Sequence, residues 1–437
     1  MIGSLRSMAV TVGLAVALTG CGLVGDRGGS GDAAPATSTR DRGTASSGPG
    51  EARTDEPLPW GPTVAELEQA RALVRGWTPE QLAGQVIVGR YHSTDPQVAA
   101  EMVSDLHLAG VSVTSGNVLD ADQVRATTRA VTEAHAASGR TFPPVIGVDE
   151  EGGSVAHLRG IASTFPAFRA AGDVIDEDRA TSGRQGRALV RKAYRASGLE
   201  LRSFGFTWVF APVADVTIGT ADPTIGSRSP SSDPRTAGIA SAAAVRGYNA
   251  SGIVSTTKHY PGHGSATADS HLELPTLDTP LAELTARDLL PFKTSIRAGA
   301  PSVMMSHLEV TALEAGLPAT LAPRVYAHLR DEMGFGGVAI TDSLGMGAVA
   351  ELELPAVRAL EAGADLLLMP VDTRRTHAHV VEAIKEGRLS RERVEDAASR
   401  VVALQQWQQR TAGEVEVPID ATEQAQAAAS ELEAAAW

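Results

Sequence analysis

Eight apolar runs rich in β-branched residues recur between about residues 60 and 410, and amphipathic stretches separate them. The runs are Val86–Gly89, Val111–Ser115, Val145–Asp149, Trp208–Ala214, Ile253–Lys258, Ser302–Ser306, Val338–Asp342 and Leu366–Pro370. Their apolar parts are nearly continuous, as parallel strands covered on both faces require. Helix-start signals fall between them. Thr63 with Glu66, and Thr78-Pro79 with Gln81, have the spacing of capping boxes. Ser390 stands before a stripe of Val394, Ala397, Val401 and Leu404. Strands and helices in this alternation predict an α/β chain folded as a single (β/α)8 TIM-like barrel, with a doubly wound open sheet as the competing arrangement.

A barrel makes a further expectation, because such folds collect their chemistry at the C-terminal ends of the strands. Those ends are polar here. Asp149-Glu150-Glu151 ends the third run, Asp215 follows the fourth, and Lys258-His259 ends the fifth. Ser306-His307 ends the sixth and Asp342 the seventh. One polar strand end is ordinary, since loops begin with polar residues. Five in register with a predicted barrel point to a site.

The flanks read differently. Residues 1–20 hold one charge, Arg6, and an apolar run from Met8 to about Gly20. A helix of that length spans roughly 20 Å, short of the ~30 Å hydrocarbon core, so the run is a secretory leader and not a membrane span. It ends in Leu18-Thr19-Gly20-Cys21, a lipobox-like string. Cys21, the one cysteine of 437 residues, is then the expected lipid attachment point and mature N-terminus. A single cysteine also excludes an internal disulfide and thiolate metal sites. Residues 21–58 are mostly small and polar and should form a flexible tether. The barrel is expected over residues 59–411, and residues 412–437 as an appended helix or frayed tail. Lys+Arg total 38 against 52 Asp+Glu, a formal charge of −14, which argues against nucleic acid as the partner.

Side chains able to do chemistry concentrate in Lys258-His259-Tyr260-Pro261-Gly262-His263-Gly264 and Asp269-Ser270-His271. His259 and His263, four apart, could share a metal only on a helix, and Pro261 with two glycines opposes a helix there. No metal or cofactor is therefore expected. Asp269, two residues before His271, can hold its ring and stabilise the imidazolium, making an acid/base pair. Asp342, in Ile340-Thr341-Asp342-Ser343-Leu344-Gly345-Met346, is a carboxylate delivered to the barrel mouth by an apolar strand. Of metal ligand, general base and nucleophile, the last suits a chain with no other ligand cluster and a histidine base elsewhere.

Together these segments resemble glycoside hydrolase family 3, and within it the NagZ-type β-N-acetylglucosaminidases. The resemblance extends over about 80–405 and includes Gly147–Gly153, Phe210–Val216, Ile225–Ser229 and Ala362–Leu366. It implies Asp342 as the nucleophile of a covalent glycosyl–enzyme intermediate, His271 as general acid/base and Asp269 as its dyad partner. It implies Asp149, Arg228, Lys258 and His259 as the residues that hold a terminal N-acetylglucosamine. The implied activity is retaining removal of terminal GlcNAc from peptidoglycan fragments, with phosphorolysis, a β-glucosidase or a sugar-binding lipoprotein without catalysis as alternatives. The tether and the lipobox-like string, apart from this resemblance, lead to the expectation of a monomer anchored at the outer face of a bacterial cytoplasmic membrane. Departures from the family pattern fall at His157, where an arginine is usual, with Arg159 two residues on, and at Ser154, Ser265 and Pro230.

Overall fold

A computed structural model describes residues 55–179 and 184–436. The leader, Cys21 and the tether up to residue 54 lie outside the described residues. The eight runs form the strands of one closed parallel barrel: β1 (Ile87–Gly89), β2 (Gly110–Val113), β3 (Val145–Val148), β4 (Trp208–Val209), β5 (Val254–Tyr260), β6 (Ser302–Met305), β7 (Val338–Ser343) and β8 (Leu366–Leu368). Each strand pairs with its neighbours in sequence, and β8 closes on β1 with Ile87 opposite Leu367. The fold is the expected (β/α)8 barrel and not the open sheet.

The helix signals act as their chemistry predicts. Thr63 and Thr78 each accept the N3 amide, and Glu66 and Gln81 reach back to the cap amide. The Ser390 side chain accepts from Arg393 N at the start of the Arg391–Gly413 helix. β4 is shorter than the run Trp208–Ala214, because Pro212 has no N–H to give a ladder. The backbone beyond it stays extended and is held piecewise: Phe210 N donates to Val148 O at 2.9 Å, Thr256 N to Ala211 O at 2.8 Å and Lys258 N to Pro212 O at 3.1 Å. The Phe210 ring lies over Gly147, where a Cβ would come within 2.4 Å of it.

Two features brace the barrel away from its mouth. Asp365, fully buried just before β8, bonds Arg330 Nη2 at 2.5 Å, Arg393 Nη2 at 3.0 Å and the Ala339 amide at 3.0 Å, with Arg400 at 3.4 Å. Burial opposes its charge, but the three guanidiniums outweigh burial and hold the carboxyl below its ordinary value. Residues beyond 411 complete the Arg391–Gly413 helix and then form the Ala421–Ala435 helix. Ala425, Ala429 and Leu432 of this last helix are buried, and Lys192 Nζ meets Glu431 at 2.5 Å. Thr422 O accepts from Ser163 Oγ at 3.0 Å, so the helix also holds the long loop after β3.

Candidate active site

The polar strand ends meet in one cavity of about 430 Å³ at the barrel mouth. Asp149 follows β3, Lys258 and His259 end β5, and Asp342 is near the end of β7. Arg228 stands on a short turn in the loop after β4, and His271 on the loop after β5. Of the expected site residues, only Asp269 does not line the cavity itself; it reaches it through His271. Cys21 lies outside the described residues.

At the inner wall, Lys258 Nζ sits 2.5 Å from Asp149 Oδ1 and 2.5 Å from Glu151 Oε1. Glu151 also takes a forked pair from Arg228, Nε at 2.9 Å and Nη2 at 2.8 Å. Burial works against the charges of Glu151, Arg228 and Lys258, and opposite charges outweigh it. Asp149 and Glu151 hold the Lys258 ammonium above its ordinary value. Arg228 and Lys258 hold Glu151 well below its own. Lys258 and Arg228 are therefore fixed as cations, with donors directed at whatever fills the cavity.

A second chain of contacts orients the histidines. Asp215, fully buried, accepts from the His259 and His263 amides, at 3.2 Å and 2.7 Å, and lies 2.7 Å from His259 Nδ1. Burial raises its pKa, and His259 and His263 bring it below the ordinary range. His259 Nε2 then faces Arg228 Nη2 at 3.2 Å, and His263 Nε2 lies 2.8 Å from Ser270 Oγ.

His271 Nδ1 lies 2.7 Å from Asp269 Oδ1, and the same oxygen accepts the His271 amide at 2.9 Å. Nε2 is the ring nitrogen left to face the cavity. The loop is clamped to the start of the segment after β7, where Gly347 N donates to His271 O at 3.1 Å and Ala348 N to Ser270 O at 3.3 Å. A Cβ on Gly347 would meet His271 O at 2.6 Å and Leu272 O at 3.0 Å. Asp342 Oδ1 accepts the Ser343 amide at 2.7 Å. Burial raises its pKa, but His259, His307, that amide and Lys258 outweigh burial and keep it a carboxylate.

Four residues of the site were given no role from sequence. Glu151, Asp215 and His307 were legible as strand ends, but not as the partners of Lys258, His259 and Ser343. His307 Nε2 donates to Ser343 O at 2.9 Å and so braces the strand that carries Asp342. Arg90, after β1, lines the cavity, donates to Ser343 Oγ at 3.0 Å and has no ion pair among the described residues. His157 lines the cavity with Nδ1 2.8 Å from Ser115 Oγ, whereas Arg159 turns to the Gly153 and Ser154 carbonyls. Ser265 is bonded to Asp288 at 2.5 Å, outside the cavity lining.

The profile described as "Glycosyl hydrolase family 3 N terminal domain" matches residues 64–404. A relative named "Beta-hexosaminidase A", from Pseudoalteromonas piscicida, is 31% identical over 338 residues, covering 71% of this chain and 55% of that protein. The chain thus spans little more than half the length of that relative. A solved glycoside hydrolase family 3 beta-N-acetylglucosaminidase from Paenibacillus sp. str. FPU-7 superposes with a TM-score of 0.73 at 30% identity, covering 82% of this chain and 69% of that one. NagZ from Neisseria gonorrhoeae, solved in complex with N-trifluoroacetyl-D-glucosamine, superposes with a TM-score of 0.65 at 26% identity, covering 80% of this chain and 98% of that one. The matched profile takes in all eight barrel strands and every residue of the cavity described above, and the chain belongs to glycosyl hydrolase family 3.

Proposed function

We propose that the protein is a retaining exo-β-N-acetylglucosaminidase. The observation that carries this reading is one cavity holding both an ionised, unpaired-for-proton carboxylate, Asp342, and the His271 ring, backed by Asp269 at 2.7 Å. The names of the relatives above support the choice of sugar. Asp342 attacks the anomeric carbon, forming a C–O bond to its carboxylate as the glycosidic C–O bond breaks. His271 Nε2 gives its proton to the leaving oxygen, and Asp269 stabilises the imidazolium before transfer. In the second half the neutral imidazole takes a proton from water, whose oxygen displaces Asp342 with a second inversion. Asp149, Lys258, Arg228 and His259 hold the sugar hydroxyls from the inner wall.

The acceptor has a second reading, phosphate in place of water. Arg90, beside Ser343 and without an ion pair among the described residues, favours it, since an anion entering there meets a cation and a neutral imidazole. The lipobox at Cys21 supports attachment to the outer face of a cytoplasmic membrane, and peptidoglycan fragments as the substrates within reach.

Asp342→Asn should abolish cleavage of a chromogenic β-N-acetylglucosaminide, by about 10⁴-fold or more, with the melting temperature retained. Wild-type turnover in that variant would overturn the nucleophile assignment. Running the wild type on this substrate and on the matching β-glucoside, with and without phosphate, decides sugar and acceptor: a sugar 1-phosphate product would make phosphate the acceptor.

A further inference from the structure

The barrel's flank carries a second concavity, of about 740 Å³, between the Gln185–Ser203, Pro234–Asn249 and Ala421–Ala435 helices. None of its lining residues lines the cavity at the mouth. Arg187, Arg191 and Arg195 line it from one helix at four-residue spacing, so they stack on one face over about 12 Å. Arg246 adds a fourth guanidinium from the next helix. Lys192 is engaged by Glu431, but these four arginines make no ion pair among the described residues.

No other described helix carries three arginines at successive four-residue steps. Some helix arginines elsewhere have a carboxylate one turn away, as in Arg169–Asp173 and Arg391–Glu395, whereas Arg235 and Arg297 make no ion pair among the described residues. The chain has 52 acidic residues, so counterions are plentiful. Like charges at i,i+4 weaken a helix, so the stripe costs stability and folding gives no reason for it. Small side chains, Ala188, Ala196, Ala243 and Ala428, keep the trough open between the cations. It contains no aromatic platform on which bases could stack. A flat bilayer would touch only the rim of a trough, and a single small anion could not span cations spread over about 12 Å.

We infer that this trough binds a linear phosphodiester polymer of the poly(alditol phosphate) class, one phosphate to each unpaired guanidinium. Planar guanidinium forks match phosphate oxygens two at a time. The site would hold the protein on an anionic polymer while the mouth stays free.

The test uses the full chain and a labelled short poly(glycerol phosphate), followed by fluorescence anisotropy across salt. With about four phosphates engaged and a slope of about −0.7 per contact, Kd should rise roughly 50-fold between about 50 and 200 mM salt. The triple variant Arg187→Gln, Arg191→Gln, Arg195→Gln should weaken low-salt binding by at least about tenfold and cut the salt slope to about a quarter. Glutamine is a good helix former, so the variant should keep its melting temperature and its turnover of a small chromogenic substrate. Unchanged Kd in the triple variant, or no binding by the wild type at low salt, overturns the site. Equal or tighter binding of polyglutamate or of an oligonucleotide of the same charge overturns the ligand class. Competition by phosphatidylglycerol vesicles that is lost in the triple variant would put a bilayer there instead and also overturn it.

Discussion

Glu150 and Asp342 stand at the same barrel mouth, and their neighbours set them apart. Asp342 faces histidines, a lysine and an amide that hold it ionised. Glu150 accepts the His157 and Leu158 amides, each at 2.9 Å, but burial dominates and pushes its pKa up from 4.5 to about 7, with Glu200 and Asp149 adding to the rise. A carboxyl whose folded value is raised binds more protons folded than unfolded between those two values. Stability contributed by the neutral form is therefore present below about pH 4.5 and is lost as pH rises through about 7. Glu150→Gln, which keeps an oxygen for the two amides, should remove that loss: its melting temperature should gain on wild type from pH 5 to pH 8, and parallel curves would refute the assignment. At this scale the sequence was partly legible. Asp342, Asp269 and His271 were readable as residues gathered at the mouth because each lies in a short distinctive string. Glu151, Asp215 and His307 were not, because which group meets which partner depends on how side chains from segments 36 or more residues apart turn inward.

At the scale of elements, the loop after β5 and the turn after β7 act as one unit. Gly347 and Ala348 hold the backbone of Ser270 and His271, so the proposed proton donor is positioned by the segment that follows the strand carrying Asp342. Gly347→Ala would press a methyl group against the His271 carbonyl at 2.6 Å and displace the ring. We expect kcat to fall by roughly 10–100-fold for a substrate with a poor leaving group and far less for a good one, with little change in melting temperature. Equal losses on both substrates would mean that the clamp does not act through the proton donor. Glycine at position 347 reads from sequence only as a turn residue; the close carbonyl appears once two loops are packed together. The strands themselves were legible because burial on both faces writes a continuous apolar run. β4 was overread for the same reason, since the apolar run continues through Pro212 while the ladder cannot.

For the whole molecule, the two ends of the barrel divide the work. The Asp365 cluster ties β7, β8 and the Arg391–Gly413 helix together at the floor, far along the strand from Asp342. Asp365→Ala would leave three guanidiniums facing one another without their counterion. It should cost about 3–5 kcal/mol, lowering the melting temperature while kcat/KM of the folded fraction stays at the wild-type value. A matching loss in kcat/KM would show that floor and mouth are coupled. The eight-unit architecture was the most legible feature of the chain, and the docking of the Ala421–Ala435 helix the least, because an alanine-rich segment does not announce its contact face. The mouth cavity has one further consequence. Its inner wall is Lys258 and Glu151, each with 2% of the side chain exposed, while 58% of His271 is exposed at the rim. On the proposed function, a sugar bound against this buried wall leaves by the exposed rim at His271 where it entered, so a long chain is not threaded through and each turnover on a polymer ends in dissociation.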